Sequence, residues 1–180
     1  MLLDDLYKLR LAERKDIQHL LNLNKVWQIE KLSEFEKLHG YLSVSYDSND
    51  FEVFISNKEV VVISFKNEIV GYYLLNNYRY TKKREEGLNV IEEMKTLGII
   101  KENVRVGIGA QVVVSREHQG KGLSRKLLEG LCNAVNQKYD LLYSSLSKNN
   151  SKGYTVHTNE GWEILFESDN SFYVFLYLNK

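Results

Sequence analysis

The segment from Gln111 to Leu131 constrains this chain more than any other. Gln111 to Ser115 is a β-branched run, which favours a buried strand. Gln119-Gly120-Lys121-Gly122 breaks that pattern. Leu123, Leu127, Leu128 and Leu131 then recur at i, i+4, i+5 and i+8, the apolar stripe of an amphipathic helix. Two glycines at a helix start let the backbone approach a ligand closely, and the free N–H groups there attract anions. Lys121, Arg125 and Lys126 add positive charge nearby. The chemistry suits a phosphorylated ligand, although a glycine pair between strand and helix also serves as a plain tight turn.

Two nucleotide-binding patterns are excluded. Gly-x-x-x-x-Gly-Lys-[Ser/Thr] is absent, and Gly-x-Gly-x-x-Gly would need glycine where Arg125 stands. Lys+Arg and Asp+Glu are equal at 24 each, which argues against a nucleic-acid binder relying on overall basic charge. Apolar residues make up 43% of the 180, enough for one real core, so a single domain over residues 1–180 is expected. Cys132 is the one cysteine, so no intramolecular disulfide is possible and a cytoplasmic setting fits. Nothing local would activate this thiol, and it reads as part of the core. Met1-Leu2-Leu3-Asp4-Asp5 lacks the basic start and long apolar core of a signal peptide, and no apolar run approaches the ~20 residues of a membrane helix. No Cys/His spacing suggests a metal site; His19 and His39 read as surface residues.

Periodicity predicts the remaining elements. Leu6 to Leu11 reads as a strand, Asp16 to Trp27 as a helix, and Ile29 to Leu38 as a helical continuation closed by Gly40. Tyr41 to Tyr46 alternates, and Phe51 to Ser56 is a short helix or an extended piece. Glu59 to Phe65 and Ile69 to Asn76 form a hairpin. Tyr78 to Glu86, with Lys82-Lys83-Arg84, reads as a solvated loop, and Leu88 to Leu97 as a helix closed by Gly98. Val104 to Val114 is extended, with a bulge or bend at Gly107 and Gly109. Leu123 to Tyr139 is helix, Asp140 to Leu146 strand, Asn150 to Glu160 helix, and Gly161 to Phe166 and Ser171 to Leu178 strands. This order indicates a mixed α/β sheet in one domain.

Gln119-Gly120-Lys121-Gly122-Leu123-Ser124 resembles the Gln/Arg-x-x-Gly-x-Gly/Ala loop of the GNAT superfamily of N-acetyltransferases. Val112-Val113-Val114 matches that family's central strand, and Ser124 departs from the usual glycine or alanine. Asn150 to Trp162 resembles the family segment Asn-x-x-Ser-x-x-x-Tyr/His-x-x-x-Gly-Phe, with Gly153 in place of serine and Trp162 in place of phenylalanine. The resemblance covers roughly Glu59 to Leu178.

The resemblance implies an α/β (α+β) fold: a mixed, mostly antiparallel sheet of about seven strands flanked by helices and splayed between the fourth and fifth. It implies acetyl-CoA as acyl donor, with no metal, and a primary amine of a small molecule or peptide as acceptor. The amine attacks the thioester directly. Val112, Val113 and Val114 would pair with the pantetheine arm. Gln119, Gly120, Lys121, Gly122, Leu123 and Ser124 would hold the pyrophosphate, and Asn150 would bond the arm or its neighbourhood. His157 stands where many members carry a tyrosine acting as general acid toward the departing thiolate; packing against the cofactor is its other reading, and Tyr154 is the substitute candidate. The general base stays open among Glu117, Glu59, Glu68 and the acids of 85–93. Tyr41 to Asp50 and Tyr78 to Ile100 should shape the acceptor pocket, and Tyr72, Tyr73, Tyr78 and Tyr80 could line it. The alternative to an enzyme is a non-catalytic acyl-CoA-binding or sensing module. An exposed final strand could pair with a second subunit to form a homodimer.

Overall fold

Alternation and periodicity place most elements where the sequence puts them. The computed structural model describes residues 6–76 and 85–178. Met1 to Asp5, Tyr78, Tyr80 and the Lys82-Lys83-Arg84 run lie outside the described residues. The strands are β1 (Tyr7–Leu11), β2 (Val60–Phe65), β3 (Glu68–Leu75), β4 (Val106–Ile108), β5 (Ala110–Val114), β6 (Leu141–Ser147), β7 (Glu163–Glu167) and β8 (Ser171–Tyr177). The helices are α1 (Ile17–Val26), α2 (Glu34–Lys37), α3 (Ser48–Ser56), α4 (Glu85–Thr96), α5 (Leu123–Val135) and α6 (Ser151–Asn159). No helix among the described residues is long and apolar enough to cross a membrane.

The anticipated helix over Ile29 to Leu38 is broken. Leu32 is extended, at φ −103° and ψ 137°. Ser33 then caps α2: its Oγ accepts the Glu36 N–H at 3.3 Å, and the Glu36 carboxylate accepts the Ser33 N–H at 2.9 Å. Ser-x-x-Glu is a helix start, and it restarts the chain in a new direction. Phe35 and Leu38 are exposed. Phe51 to Ser56 is helical, because Asp47 caps α3 by accepting the Asp50 N–H at 3.0 Å. Tyr41 to Tyr46 joins no sheet; a single bridge, Gln28 to Leu42, ties it down.

The strands make two four-stranded sheets, β1-β2-β3-β5 and β4-β6-β8-β7. All pairs are antiparallel except β4 with β6. The sheets meet at Gly109. Its N–H donates to the Tyr143 carbonyl on β6 at 2.9 Å, while its carbonyl accepts the Asn76 N–H just beyond β3 at 3.2 Å. At φ +79° Gly109 has the left-handed backbone that lets one residue switch partners. β4 therefore runs beside β6, and β5 leaves it for β3. Counted as one bent strand, 106–114 makes the sheet seven-stranded and splayed between its fourth and fifth strands, as anticipated.

Two cores flank the first sheet. On one side α5 buries Leu127 and Leu131 against Val61, Ile63 and Tyr73. On the other, Leu20 of α1 and Phe51 and Phe54 of α3 cover Val60, Val62 and Tyr72. Burial of each such side chain contributes roughly 1.5–3 kcal/mol. Tyr72 and Tyr73 are thus core residues on opposite faces, fully buried, and line neither cavity described below. The final strand β8 is not an edge, since β7 covers it. The exposed edge is β7, with Ile164, Leu165 and Phe166 at its surface.

Candidate active site

The splay leaves one side of β5 without a neighbouring strand. In an antiparallel ladder, residues alternate between turning both backbone groups toward a partner and turning both away. Gly109 and Ser115 bond toward β3. Residues 110, 112 and 114 therefore face the gap. Two side chains already use that edge: Ser144 Oγ donates to the Ala110 carbonyl at 3.1 Å, and Gln119 Nε2 donates to the Val114 carbonyl at 3.3 Å. Between them Val112 offers its N–H and carbonyl to the gap.

Beyond Val114 the chain makes one turn of 3-10 helix, Arg116–His118, and enters the glycine loop. Gly120 and Gly122 both sit at φ +72°. A Cβ added at either would meet nothing within 4 Å. The left-handed turn aims the first N–H groups of α5 outward, the arrangement that binds anions. Lys121 contributes backbone only: its side chain is turned back, with Nζ donating to the Glu117 carbonyl at 2.9 Å. Leu123 is buried and anchors the helix start.

A cavity of about 240 Å³ joins this loop to β5, lined by Val112, Val113, Val114, Gln119, Gly120, Gly122, Leu123, Ser124 and Asn150. Of the cofactor-binding residues anticipated from sequence, all but Lys121 line it. Trp27, His39, Tyr41 and Lys152 line it as well. His39 is exposed, as anticipated, yet belongs to the site. A second cavity of about 110 Å³ lies deeper in the splay, between Ala110 and Gln111 on one side and Ser144 to Ser147 on the other.

The segment 41–46 straps both cavities. Asn150 Nδ2 donates to the Tyr41 carbonyl at 3.0 Å, and the Leu42 N–H donates to the Trp27 carbonyl at 2.7 Å. The Val44 carbonyl accepts from Gln28 Nε2 at 3.0 Å and from Gln111 Nε2 at 3.3 Å. Gln111 belongs to a buried uncharged network: its Oε1 accepts from Tyr72 Oη at 2.7 Å and from Asn24 Nδ2 at 3.0 Å. Nothing in the local pattern around Asn24 or Gln28 announces this network, because polar residues on a helix normally read as its solvent face.

His157 lines the second cavity and is 4% exposed. Its Nδ1 lies 2.9 Å from the Gly153 carbonyl. A carbonyl can only accept, so the proton is on Nδ1 and Nε2 carries a lone pair. Nε2 is buried without a hydrogen-bond partner. Burial pushes the imidazole pKa down to about 4, only partly opposed by the Gly153 bond. An acid role at Nε2 would need a doubly protonated ring. Tyr154 lies outside both cavities and packs on Phe172, ring centroids 5.0 Å apart.

Among the described residues, no candidate base lines either cavity. Glu59 is buried elsewhere, accepting from Tyr139 Oη, with its carboxyl pushed up by burial. Glu117 is exposed, and so is Glu68 at the start of β3. Glu160, which also lines neither cavity, is a further carboxylate with its oxygens buried. Burial lifts it to about 7, with the Ser124 hydroxyl and Arg125 guanidinium pulling the other way. Cys132 is pushed up to about 11 by burial, in keeping with an inert core thiol. Among the described residues no group of three or more His, Cys, Asp or Glu side chains could hold a metal.

Solved structures share this architecture. A putative acetyltransferase from Salmonella typhimurium, determined with acetyl-CoA, aligns at 15% identity over 97% of this chain and 95% of its own, with a TM-score of 0.64. A GNAT-family acetyltransferase from Streptococcus pneumoniae aligns at 14% identity over 95% and 98%, TM-score 0.63. A mutant spermidine N-acetyltransferase from Vibrio cholerae aligns at 17% identity over 98% and 96%, TM-score 0.56. No curated protein matches the chain by sequence. At such identities the structural likeness concerns the fold, but the model of the acetyltransferase (GNAT) family matches residues 23–154 directly. With the splayed strand, the glycine loop and that match in hand, the chain belongs to the GNAT acetyltransferase family.

Proposed function

We propose that this chain is a single-domain N-acetyltransferase that uses acetyl-CoA to acetylate a primary amine by direct attack on the thioester. The observation that carries the reading is the open edge of β5, which runs from the glycine loop at Val114 to the second cavity at Val112. The residues present fit the cofactor. Gly120 and Gly122 leave a cradle that any Cβ would enter. N–H groups from Gln119 to Ser124 would hold the pyrophosphate, and Val112 to Val114 would pair with the pantetheine arm as an added strand. Asn150 spends one N–H on Tyr41 and keeps its second for the arm.

Bound acetyl-CoA supplies an activated acetyl group. The chain's own part is to orient and to exclude water. A β5 N–H turned into the gap is placed to polarise a carbonyl there. His157 walls the second cavity with its ring proton engaged by the Gly153 carbonyl. The amine enters through the second cavity, walled by the 41–46 strap. Cys132 as the one thiol fits a cytoplasmic enzyme. Were two copies to pair edge to edge, β7 rather than β8 would be the strand involved.

Calorimetry with acetyl-CoA, CoA and ATP, followed by thiol release over a panel of amines, tests the reading. Binding of both CoA species but not ATP, with release for some amines, is the expected result. Binding without release from any amine points to an acyl-CoA-binding module. No CoA binding sinks the proposal.

A further inference from the structure

The two cavities meet at a neck. Tyr41 and Leu42 of the strap, Val112 of β5, and Asn150 and Gly153 at the start of α6 line both. A ligand anchored at the glycine loop and extended along β5 reaches the second cavity only through this neck. The bond exchanged with an acceptor arriving from the second cavity therefore lies there. Of the five neck residues, Tyr41 alone carries an ionisable side-chain proton.

Its backbone is held firmly. The Tyr41 carbonyl is fixed by Asn150 Nδ2 at 3.0 Å, and the next residue is clamped twice, with Leu42 N–H on the Trp27 carbonyl at 2.7 Å and the Leu42 carbonyl on the Ile29 N–H at 3.0 Å. The hydroxyl is held less firmly. It donates to Ser147 Oγ at 3.2 Å, which is long for an O–H···O bond. Ser147 Oγ also accepts the Asn149 N–H at 3.2 Å. Tyr41 Oη can leave this partner for a better acceptor in the neck without moving its backbone.

We propose that Tyr41, given the acetyltransferase reading above, is the catalytic residue that protonates the departing sulfur. As the new C–N bond forms and the C–S bond breaks, the sulfur keeps the electron pair of that bond, and Tyr41 Oη delivers its proton to it. The amine nitrogen surrenders one proton to water, and the phenolate recovers one from water or through Ser147. A thiolate whose thiol titrates near ~8.5 takes up a proton at neutral pH. His157 does not compete for this task, since its one ring proton is engaged by Gly153 and it lines the second cavity alone.

A donor aimed at the sulfur must stabilise the thiolate of bound CoA, so the test reads that thiol directly. Calorimetry first establishes that CoA binds the native protein and the Tyr41→Phe and Ser147→Ala variants, with thermal melting as the check on folding. The pH dependence of alkylation of bound CoA by iodoacetamide then gives the thiol pKa, with the product read by mass spectrometry. The wild-type complex should titrate about one unit lower than the Tyr41→Phe complex, seen as roughly tenfold faster alkylation at pH 7. Ser147→Ala, which frees the Tyr41 hydroxyl, should match or fall below wild type. CoA bound by both proteins with the same thiol pKa in wild type and Tyr41→Phe overturns the assignment while leaving the acetyltransferase reading intact. A Ser147→Ala complex that titrates like free CoA overturns it too, by making Ser147 the donor. Failure of CoA to bind the wild type overturns both.

Discussion

Asn150 donates Nδ2 to the carbonyl of Tyr41 at 3.0 Å while its Oδ1 accepts the Gly153 N–H at 2.9 Å. One amide thus caps α6 and ties down the strap. Gly153 makes room for it, because a Cβ there would stand 2.9 Å from Asn150 Cγ. Asn150→Ala removes a helix cap and a tether together, and should lower stability by about 1–2 kcal/mol. It should also weaken CoA binding by roughly tenfold, the size of a lost ~1.4 kcal/mol. Thermal melting with and without CoA separates the two effects: the variant should melt earlier and recover less on adding ligand.

The glycine loop permits a controlled comparison. Gly98, Gly120 and Gly122 share φ near +72° (+71°, +72° and +72°), and at all three an added Cβ meets nothing within 4 Å. Alanine should therefore cost each about 1–2 kcal/mol of backbone strain. Gly98 ends α4, outside both cavities, while the other two line the first. Gly98→Ala should lose stability with CoA affinity unchanged. Gly120→Ala and Gly122→Ala should lose similar stability and bind CoA at least tenfold more weakly. Equal affinity in all three variants would show that the loop is only a turn.

Much of this site is legible in sequence because its signals are local. A β-branched run, two glycines and a leucine stripe specify strand, loop and helix from within a few residues, and Val112 to Ser124 lie together as that pattern requires. Of the bend expected at Gly107 and Gly109, the turn falls at Gly109 while Gly107 lies inside β4, and its consequence, one strand divided between two sheets, depends on β3 and β6 far away in the chain. The 29–38 stretch was misread because apolar spacing by three outweighed the Ser33-Glu36 cap. The Asn24–Gln111 contact joins residues 87 positions apart and the Asn150 tether to the strap at Tyr41 joins residues 109 apart, and no period or propensity encodes such pairings. His157 was legible as a position, not as a tautomer, since Gly153 decides which nitrogen holds the proton.

The uncharged network beneath the strap should be stiff and costly to break. Gln111 Oε1 accepts from both Tyr72 Oη and Asn24 Nδ2, and all three residues are buried. Gln111→Leu takes the acceptor from the Tyr72 hydroxyl, while Asn24 Nδ2 keeps Tyr72 Oη at 3.0 Å. A net loss of about 1–3 kcal/mol, the cost of one unsatisfied buried donor, is expected by urea denaturation. Because Gln111 lies on the second cavity and not the first, CoA affinity should change less than threefold in the folded variant.

Buried His157 and Glu160 pull the pH dependence of stability in opposite directions. His157 falls from an ordinary 6.5 to about 4, so between those values the unfolded chain holds a proton that the native chain lacks, and stability rises with pH. Glu160 rises from an ordinary 4.5 to about 7, so between those values the native chain holds the extra proton, and stability falls as pH increases. Each contribution is bounded by about 3 kcal/mol, and from pH 4.5 to 6.5 the two offset one another. Glu160→Gln should leave the His157 slope, with urea midpoints that climb from pH 4.5 to 6.5 relative to wild type. His157→Gln should leave the Glu160 slope, with midpoints that decline from pH 4.5 to 6.5 relative to wild type. Parallel profiles for all three proteins would mean that neither group titrates differently in the folded and unfolded chains.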